Sequence, residues 1–559
     1  MAIQVVDDKV KVEEPKEAKA KKAKKPGALD KVFHYSDRGS TAGREIGAGI
    51  AAFFIAVCAL LMNTKIIGEA YGTYAGAYLA AALVAFIGTV VLGLLCNLPL
   101  VQNANMGLST VLIAMMSQNA GLTYQNMMAI TFVAAVIYLI IVLTPAREVL
   151  VKALPDGVKK ALPAAAGLYI ILMALKNAGI ISDAGLTSAS TLTTLDKFYF
   201  WLMAFGTVLY FVLKAARAKR PILRTFGILV ALMWVCGIIF FMDQFIGGQT
   251  AAIVVYQRVN LVMATDGAKT YNFAGALASL NIGSVFSQGF DFSAYEGSVL
   301  LLFVKGVLAF LFLGLYTNLG YTEGAAVAGD YADADYYKAS RDKVLVVGAI
   351  MNVIAPILGS APTTVGAQSA VSSEEGGKTG LTSLVAAIGF LIAMFSWIFF
   401  MFFATGTNGV GMWIEETETK LAAYVNDTFW FADLAMIFGA AAMLKGLARV
   451  RAGRPSEMAA FAATIIGSGL MGNIAFGVAL GTIAAVITSL LCKDERDSRP
   501  MPPPADRPAP ADRPEGPAPE DRPAPADRPE GPAPEDKPNL AANIILAVIM
   551  IVFAILTLA

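Results

Sequence analysis

The chain has 559 residues; 57% are apolar and 15% are charged, against ~25% charged in a soluble domain. With a mean hydropathy of +0.62, this weighs against an ordinary cytosolic enzyme. The charges are also segregated: residues 1–45 hold 19 of them and residues 493–539 another 20, so two polar segments bracket a body built for lipid. No basic face with interleaved aromatics marks a nucleic-acid binder. The four cysteines, Cys58, Cys96, Cys236 and Cys492, lie in or beside apolar runs without a C-x-x-C pair. They read as small apolar packers rather than a disulfide frame or a zinc site. His34, the single histidine, sits in the polar N-terminal segment, which excludes histidine catalysis and a histidine-ligated metal in the body. No cofactor or metal is expected.

Apolar stretches of about 20 residues span a bilayer as helices. In chain order they fall at 46–64, 74–95, 124–144, 161–180, 199–216, 222–242, 300–327, 344–358, 379–404, 428–446, 456–471 and 473–492, with shorter, more polar elements at 98–117 and 360–374. That makes 14 membrane elements, and Leu540–Ala559 adds a fifteenth apolar run. The apolar body starts at Ile46, after a tail too long for a signal peptide's charged region. Basic clusters at Arg147–Lys160, Lys214–Arg224 and Lys445–Arg454 fall on the side of the Lys-rich N-terminus, placing it in the cytoplasm by the positive-inside rule. Residues 493–539 hold 15 of the 25 prolines, and Arg507–Asp521 is repeated unchanged at Arg522–Asp536. This segment reads as a semi-extended linker, or as a docking site for a proline-binding module. Leu540–Ala559 either spans the membrane or lies at its surface.

The two short polar elements carry the chemistry. They read Asn97-Leu-Pro-Leu-Val-Gln-Asn-Ala-Asn-Met-Gly-Leu-Ser109 and Gly359-Ser-Ala-Pro-Thr-Thr-Val-Gly-Ala-Gln-Ser369. Irregular backbone at membrane depth survives only where it is buried in protein or lines a cavity. These elements stand third and tenth, each third in a set of seven, and corresponding broken elements in two halves point to a transporter's solute site. The alternative is a pair of re-entrant packing loops. Ionisable residues inside the membrane mark function by default. Lys65 and Lys305 either face a cavity, as cavity charges for an anionic solute, or snorkel from helix ends. Glu323 follows Tyr316-Thr-Asn-Leu-Gly-Tyr-Thr322, which suggests a helix opened around a site; helix-end solvation is the other reading. No phosphate loop occurs, so a primary pump and an enzyme both lack residues.

Several of these segments together resemble the nucleobase–ascorbate transporter family, in its guanine/hypoxanthine permease-like branch, from about Tyr35 to Leu491. The similar motifs are Gly49–Ile67 with Asn63, Asn97-Leu-Pro-Leu with Met106-Gly-Leu, Leu154–Leu162, Gly167-Leu-Tyr, Lys176-Asn-Ala-Gly-Ile, and Gly359 to Thr382 with its Gly376-Gly-Lys-Thr-Gly-Leu-Thr turn. The resemblance implies an all-α polytopic membrane protein of 14 elements in a seven-plus-seven inverted repeat. A core domain (46–144 and 300–404) would move against a gate domain (161–242 and 428–492) in an elevator-type step. A tail (1–45), an outside loop (243–299), the linker (493–539) and a C-terminal helix (540–559) complete the chain. The family implies a homodimer in the plasma (inner) membrane, with a proton or cation as partner. The solute-binding residues it implies are Asn105 and Ser109 in the third element, Thr317 and Asn318 in the eighth, and Thr364, Gln368 and Ser369 in the tenth. Glu323 is the ion-coupling candidate and Lys65 the cavity-charge candidate. This chain departs from the branch where it carries carboxylates: Thr317 replaces an Asp and Gln368 a Glu, and neither can titrate. The leading cargo is a purine-type nucleobase. The rivals are an anion or other small-solute carrier or channel on the same fold, and a transport-dead sensor or scaffold signalling through the Pro-rich linker.

Overall fold

The computed structural model describes residues 27–147, 150–151, 153–177, 208–209, 211–216, 273–396, 430–449, 455–470, 472–491 and 540–558. The expected element at 222–242, the Lys-rich run before residue 26 and the Pro-rich repeat lie outside the described residues. The chain is mostly helical, and among the described residues six helices are long and apolar enough to cross a membrane.

In chain order the elements are α1 (Ala28–Phe33), α2 (Ala42–Tyr71), α3 (Tyr74–Cys96), β1 (Gln102–Ala104), α4 (Met106–Gln118), α5 (Tyr124–Leu143) and α6 (Asp156–Asn177). They continue with α7 (Phe273–Ala278), α8 (Ser284–Ser287), α9 (Val299–Ala328), α10 (Asp335–Ile357), β2 (Thr363–Val365), α11 (Gln368–Glu374) and α12 (Gly380–Phe395). Next come α13 (Trp430–Ala441), which runs into a 3-10 turn η1 (Ala442–Arg449), then α14 (Pro455–Leu470), α15 (Ile474–Leu491) and α16 (Leu540–Leu558). Starts are set by short polar side chains that accept the orphan N–H groups of the first turn. Thr73 accepts from Gly76, Thr379 from Leu381, and Thr123 with Asn126 forms a capping box at α5. Asn97 ends α3 in the left-handed region, φ 48°, a conformation asparagine tolerates better than most residues.

The helices pack in two groups. One holds α2–α5 and α9–α12; the other holds α6, α13, η1, α14 and α15. In lipid, helix association depends on close packing and hydrogen bonds more than on hydrophobic expulsion. The crossing of α3 and α12 shows it: Gly93 and Gly380 meet backbone to backbone, and a Cβ on Gly380 would strike the Gly93 carbonyl. The groups meet where α9 packs on α6 and η1, and where α13 packs on α2 and α11.

The structure differs from two expectations. Residues 27–45, read as part of a tail, fold onto the body. Phe33 and Asp30 are buried, and α2 already begins at Ala42. Arg38 donates to the carbonyl of Lys378 at 2.9 Å, and Asn97 Nδ2 donates to the Phe33 carbonyl at 3.0 Å. Its burial among these groups pushes the Arg38 pKa down, and Lys378, also desolvated, is lowered likewise. Second, α9 is continuous through residues 316–322 rather than opened there. The Thr322 hydroxyl bonds back to the Asn318 carbonyl at 2.7 Å, which keeps the turn intact. Gly320 serves packing instead: a Cβ there would stand 3.2 Å from Ala166 of α6.

The fully buried Glu45 carboxylate ties the N-terminal segment to the turn before α12. It accepts from Lys378 N (2.9 Å), Thr379 N (3.2 Å), Thr379 Oγ1 (2.9 Å) and Thr382 Oγ1 (2.6 Å). Glu45→Ala is expected to orphan these donors and cost about 3 kcal/mol. A lower melting temperature of the detergent-purified protein, with a smaller loss for Glu45→Gln, is the check.

Candidate functional site

The two broken elements cross each other. β1 pairs antiparallel with β2, in the register Gln102↔Val365, Asn103↔Thr364 and Ala104↔Thr363. Each strand runs into a short helix, α4 or α11. A two-stranded ribbon buried at membrane depth has outer edges that no third strand satisfies, and unpaired backbone there costs heavily. Side chains supply the missing partners. Thr89 Oγ1 accepts from Gln102 N (3.1 Å) and donates to Gln102 O (3.2 Å). Asn352 accepts from Thr363 N (2.9 Å) and donates to Thr363 O (2.7 Å). Asn318 Oδ1 accepts from Val365 N at 2.9 Å. Ser369 Oγ accepts from Val101 N at 2.9 Å, and Ser372 Oγ donates to Pro99 O at 2.7 Å.

Beside the crossing lies a cavity of about 30 Å³, room for roughly one water and far below the ~300 Å³ of a small-molecule pocket. Its polar wall is Asn103, Asn105, Thr364 and Gln368 from the first helix group, with Tyr321 of α9. The second group closes it with Tyr169, Ile170 and Met173 of α6 and Met436 of α13. Asn105 caps α4, accepting from Leu108 N at 3.0 Å, and donates to Thr364 Oγ1 at 2.8 Å. The Tyr321 hydroxyl lies beside the Asn105 side chain in this wall. Gln368 Nε2 is buried without a hydrogen-bond partner among the described residues, which leaves an unsatisfied donor at the cavity wall. No carboxylate, ammonium or guanidinium is among the described residues that line it.

The residues singled out in the sequence thus divide. Asn105, Thr364 and Gln368 come together at the cavity. Asn318 and Ser369 brace the ribbon. Ser109 Oγ donates to Asn63 Oδ1 of α2 at 2.5 Å, and neither residue is among the cavity lining. Thr317 is buried in α9 with its hydroxyl unpartnered, and it does not line the cavity. Glu323 is ion-paired with Arg341 at 3.1 Å, its side chain 16% exposed, and it too stands outside the lining. Lys65 is half-buried late in α2 and is not a lining residue. Tyr169, Tyr321 and Met436 were not singled out. The tyrosines lie inside motifs that were read, Gly167-Leu-Tyr and Tyr316–Thr322, whereas nothing local marks Met436.

At one end of the molecule, ion pairs link the two helix groups. Arg449 of η1 meets Asp333 at 2.9 Å, and Glu374 at the end of α11 meets Lys445 at 3.7 Å and Lys214 at 2.6 Å. Exposed pairs of this kind contribute little each, but Glu374 is only 10% exposed and is held by two cations.

Two short half-helices behind crossed strands, inside a bundle of membrane-length helices, define a membrane transport protein. Residues 43–405 match the family model of the xanthine/uracil permeases, described as Permease family; the chain belongs to that family. It is 24% identical over 366 residues to the guanine/hypoxanthine permease PbuO of Bacillus subtilis (strain 168), covering 65% of this chain and 77% of that one. It is 23% identical over 373 residues to the adenine permease AdeP of Escherichia coli (strain K12), covering 66% and 75%. Among solved structures it is similar to the transmembrane domain of the cyanobacterial bicarbonate transporter BicA, at TM-score 0.44 and 14% identity, covering 79% of this chain and 97% of that one.

Gly107 sits against the Tyr169 hydroxyl, which occupies the space a Cβ would need. Gly107→Ala is expected to displace Tyr169 from the cavity wall at a cost of about 1–3 kcal/mol. A melting-temperature series with Tyr169→Phe, which removes the nearest atom, should recover part of the loss.

Proposed function

We propose that this protein is a secondary-active permease for a neutral purine-type nucleobase, of the guanine, hypoxanthine or xanthine kind. The observation that carries this reading is the cavity where the crossed elements meet the second helix group. Its wall offers amides and hydroxyls and, among the described residues, no formal charge. Amides present a donor and an acceptor side by side, which complements the adjacent carbonyl and ring N–H of a purine. The rings of Tyr169 and Tyr321 and the thioethers of Met173 and Met436 suit a flat heterocycle. The relatives named for guanine, hypoxanthine and adenine transport support the same solute class. An anionic solute finds no cation in that wall.

Because the cavity has room for about one water, solute entry requires the two helix groups to separate or slide. An elevator step of the first group past the second fits this need. It would break the Arg449–Asp333 and Lys445–Glu374 pairs and open a path beside η1. Asn105, Thr364 and Gln368 would hold the base. Ser109, Asn318 and Ser369 would keep the half-helices in register behind it. Glu323, close to Tyr321 along α9 and paired with Arg341, is the coupling candidate, and Lys65 acts at the helix end. The protein would work in the plasma (inner) membrane with its N-terminus in the cytoplasm.

Purified protein in liposomes, given radiolabelled hypoxanthine, guanine, adenine and uracil with and without an inward proton gradient, tests this reading. Purine uptake supports it; folded protein that moves none of the bases overturns it. Asn105→Ala, which removes both a helix cap and the partner of Thr364, is expected to lower uptake by about tenfold or more. Gln368→Glu introduces a carboxylate into a neutral wall. Binding measured across pH should then strengthen as pH rises above the usual carboxylate range of about 4 and weaken below it, because only the ionised form accepts strongly from purine N–H groups. The parent protein should show no such dependence from this position.

A further inference from the structure

The C-terminal helix α16 lies beyond the permease family match, which ends at residue 405, and nothing in the transport reading uses it. Its contacts give its direction. Phe553 meets Phe312 of α9 with ring centroids 5.1 Å apart, edge to face, and the Tyr316 hydroxyl of α9 lies 3.9 Å from Met550 Sδ. The number rises from 312 to 316 along α9 as it falls from 553 to 550 along α16, so the helices run antiparallel. Phe553 also meets Phe476 near the start of α15, at 6.4 Å, so α16 is antiparallel to α15 as well. Extrapolated along both pairs, the first residue of α16 stands level with the ends of α9 and α15. Its 19 residues reach about 28 Å, enough to cross the hydrocarbon core of roughly 30 Å.

The partners belong to different helix groups. α9 packs with α5, α10 and α11, the group that carries the crossed strands; α15 packs with α6 and α14. Phe553 and Met550 are buried, 1% and 0% exposed, in the seam between them. On the opposite side of α16, Ile551 and Val552 are 41% and 49% exposed, the face a lipid would cover. A side chain interdigitated with both groups has to be unpacked from one of them whenever they slide.

From this we propose that α16 is a membrane-spanning strap, seated by Phe553 and Met550 across the seam of the two helix groups, that restrains their relative displacement and so limits the rate at which the cavity opens. The proposal rests on the reading that the two groups move past one another, and its test reads that motion without needing the solute. A cysteine placed at cavity-lining Ala104 in the full-length protein, with the four native cysteines replaced by serine, reports opening through its rate of modification by a small maleimide. The same protein without the Ala104→Cys change sets the background. Phe553→Ala is expected to speed modification by roughly three- to tenfold, the scale of one aromatic pair in a barrier. Ile551→Ala and Val552→Ala, on the lipid face, should leave it unchanged. Met550→Ala, a milder truncation, should give a smaller acceleration and keeps the test decisive if Phe553→Ala does not fold. Unchanged or slower labelling in both seam variants, or equal acceleration in the lipid-face variants, overturns the strap. If labelling accelerates while liposome uptake of all bases is absent, the strap stands and the nucleobase reading alone falls.

Discussion

A polypeptide backbone that leaves helical geometry inside a bilayer must find a partner for every N–H and C=O, because no water is there to provide one. In this permease that constraint falls on two three-residue strands. Each gives only part of its backbone groups to the other strand and turns the rest outward. Thr89, Asn318 and Asn352 then close the outer edges from three different helices. Most of the surrounding polar chemistry is this accounting. Ser369, Ser372 and Ser383 hold the 98–101 approach to the first strand by its own carbonyls and amides.

The same constraint separates residues that build the site from residues that face it. A polar side chain in a membrane interior is costly to bury unpaired, so most of those around the ribbon are committed to backbone or to another side chain. Asn318 and Ser369 are committed to backbone and Ser109 to Asn63. Gln368 retains a donor with no partner among the described residues, and it is on the cavity wall. Among the described residues no formal charge lines the cavity, and the nearby Glu323–Arg341 pair starts from the same helix as Tyr321.

The two groups touch in different ways along their length. Their interface at the cavity is small and apolar on one side, with Ile170, Met173 and Met436, surfaces that slide without stranding hydrogen bonds. The ion pairs between the groups sit at one end, on Glu374, Asp333 and the cations of η1. Apart from these lies the aromatic seam of Phe312, Phe476 and Phe553, filled by a helix the family match does not include. Small residues such as Gly93 and Gly380 let α3 and α12 of the first group pack backbone to backbone.

Much of this was legible in the residues alone. Twenty-residue apolar runs and the two Pro- and amide-rich interruptions are local signals, because span length and broken helices depend on neighbours along the chain. The helix starts at Tyr74, Tyr124 and Gly380 accordingly fall within a residue or two of where the sequence put them. The register of β1 on β2 and the absence of Ser109 and Thr317 from the cavity wall carry no local mark. Neither do Met436 in that wall and the folding of residues 27–45 onto the turn before α12. Those were decided by contacts between residues as far apart as Glu45 and Thr382 or Phe312 and Phe553. At such separations only the assembled packing determines which buried polar group finds a partner and which is left at a cavity wall without one.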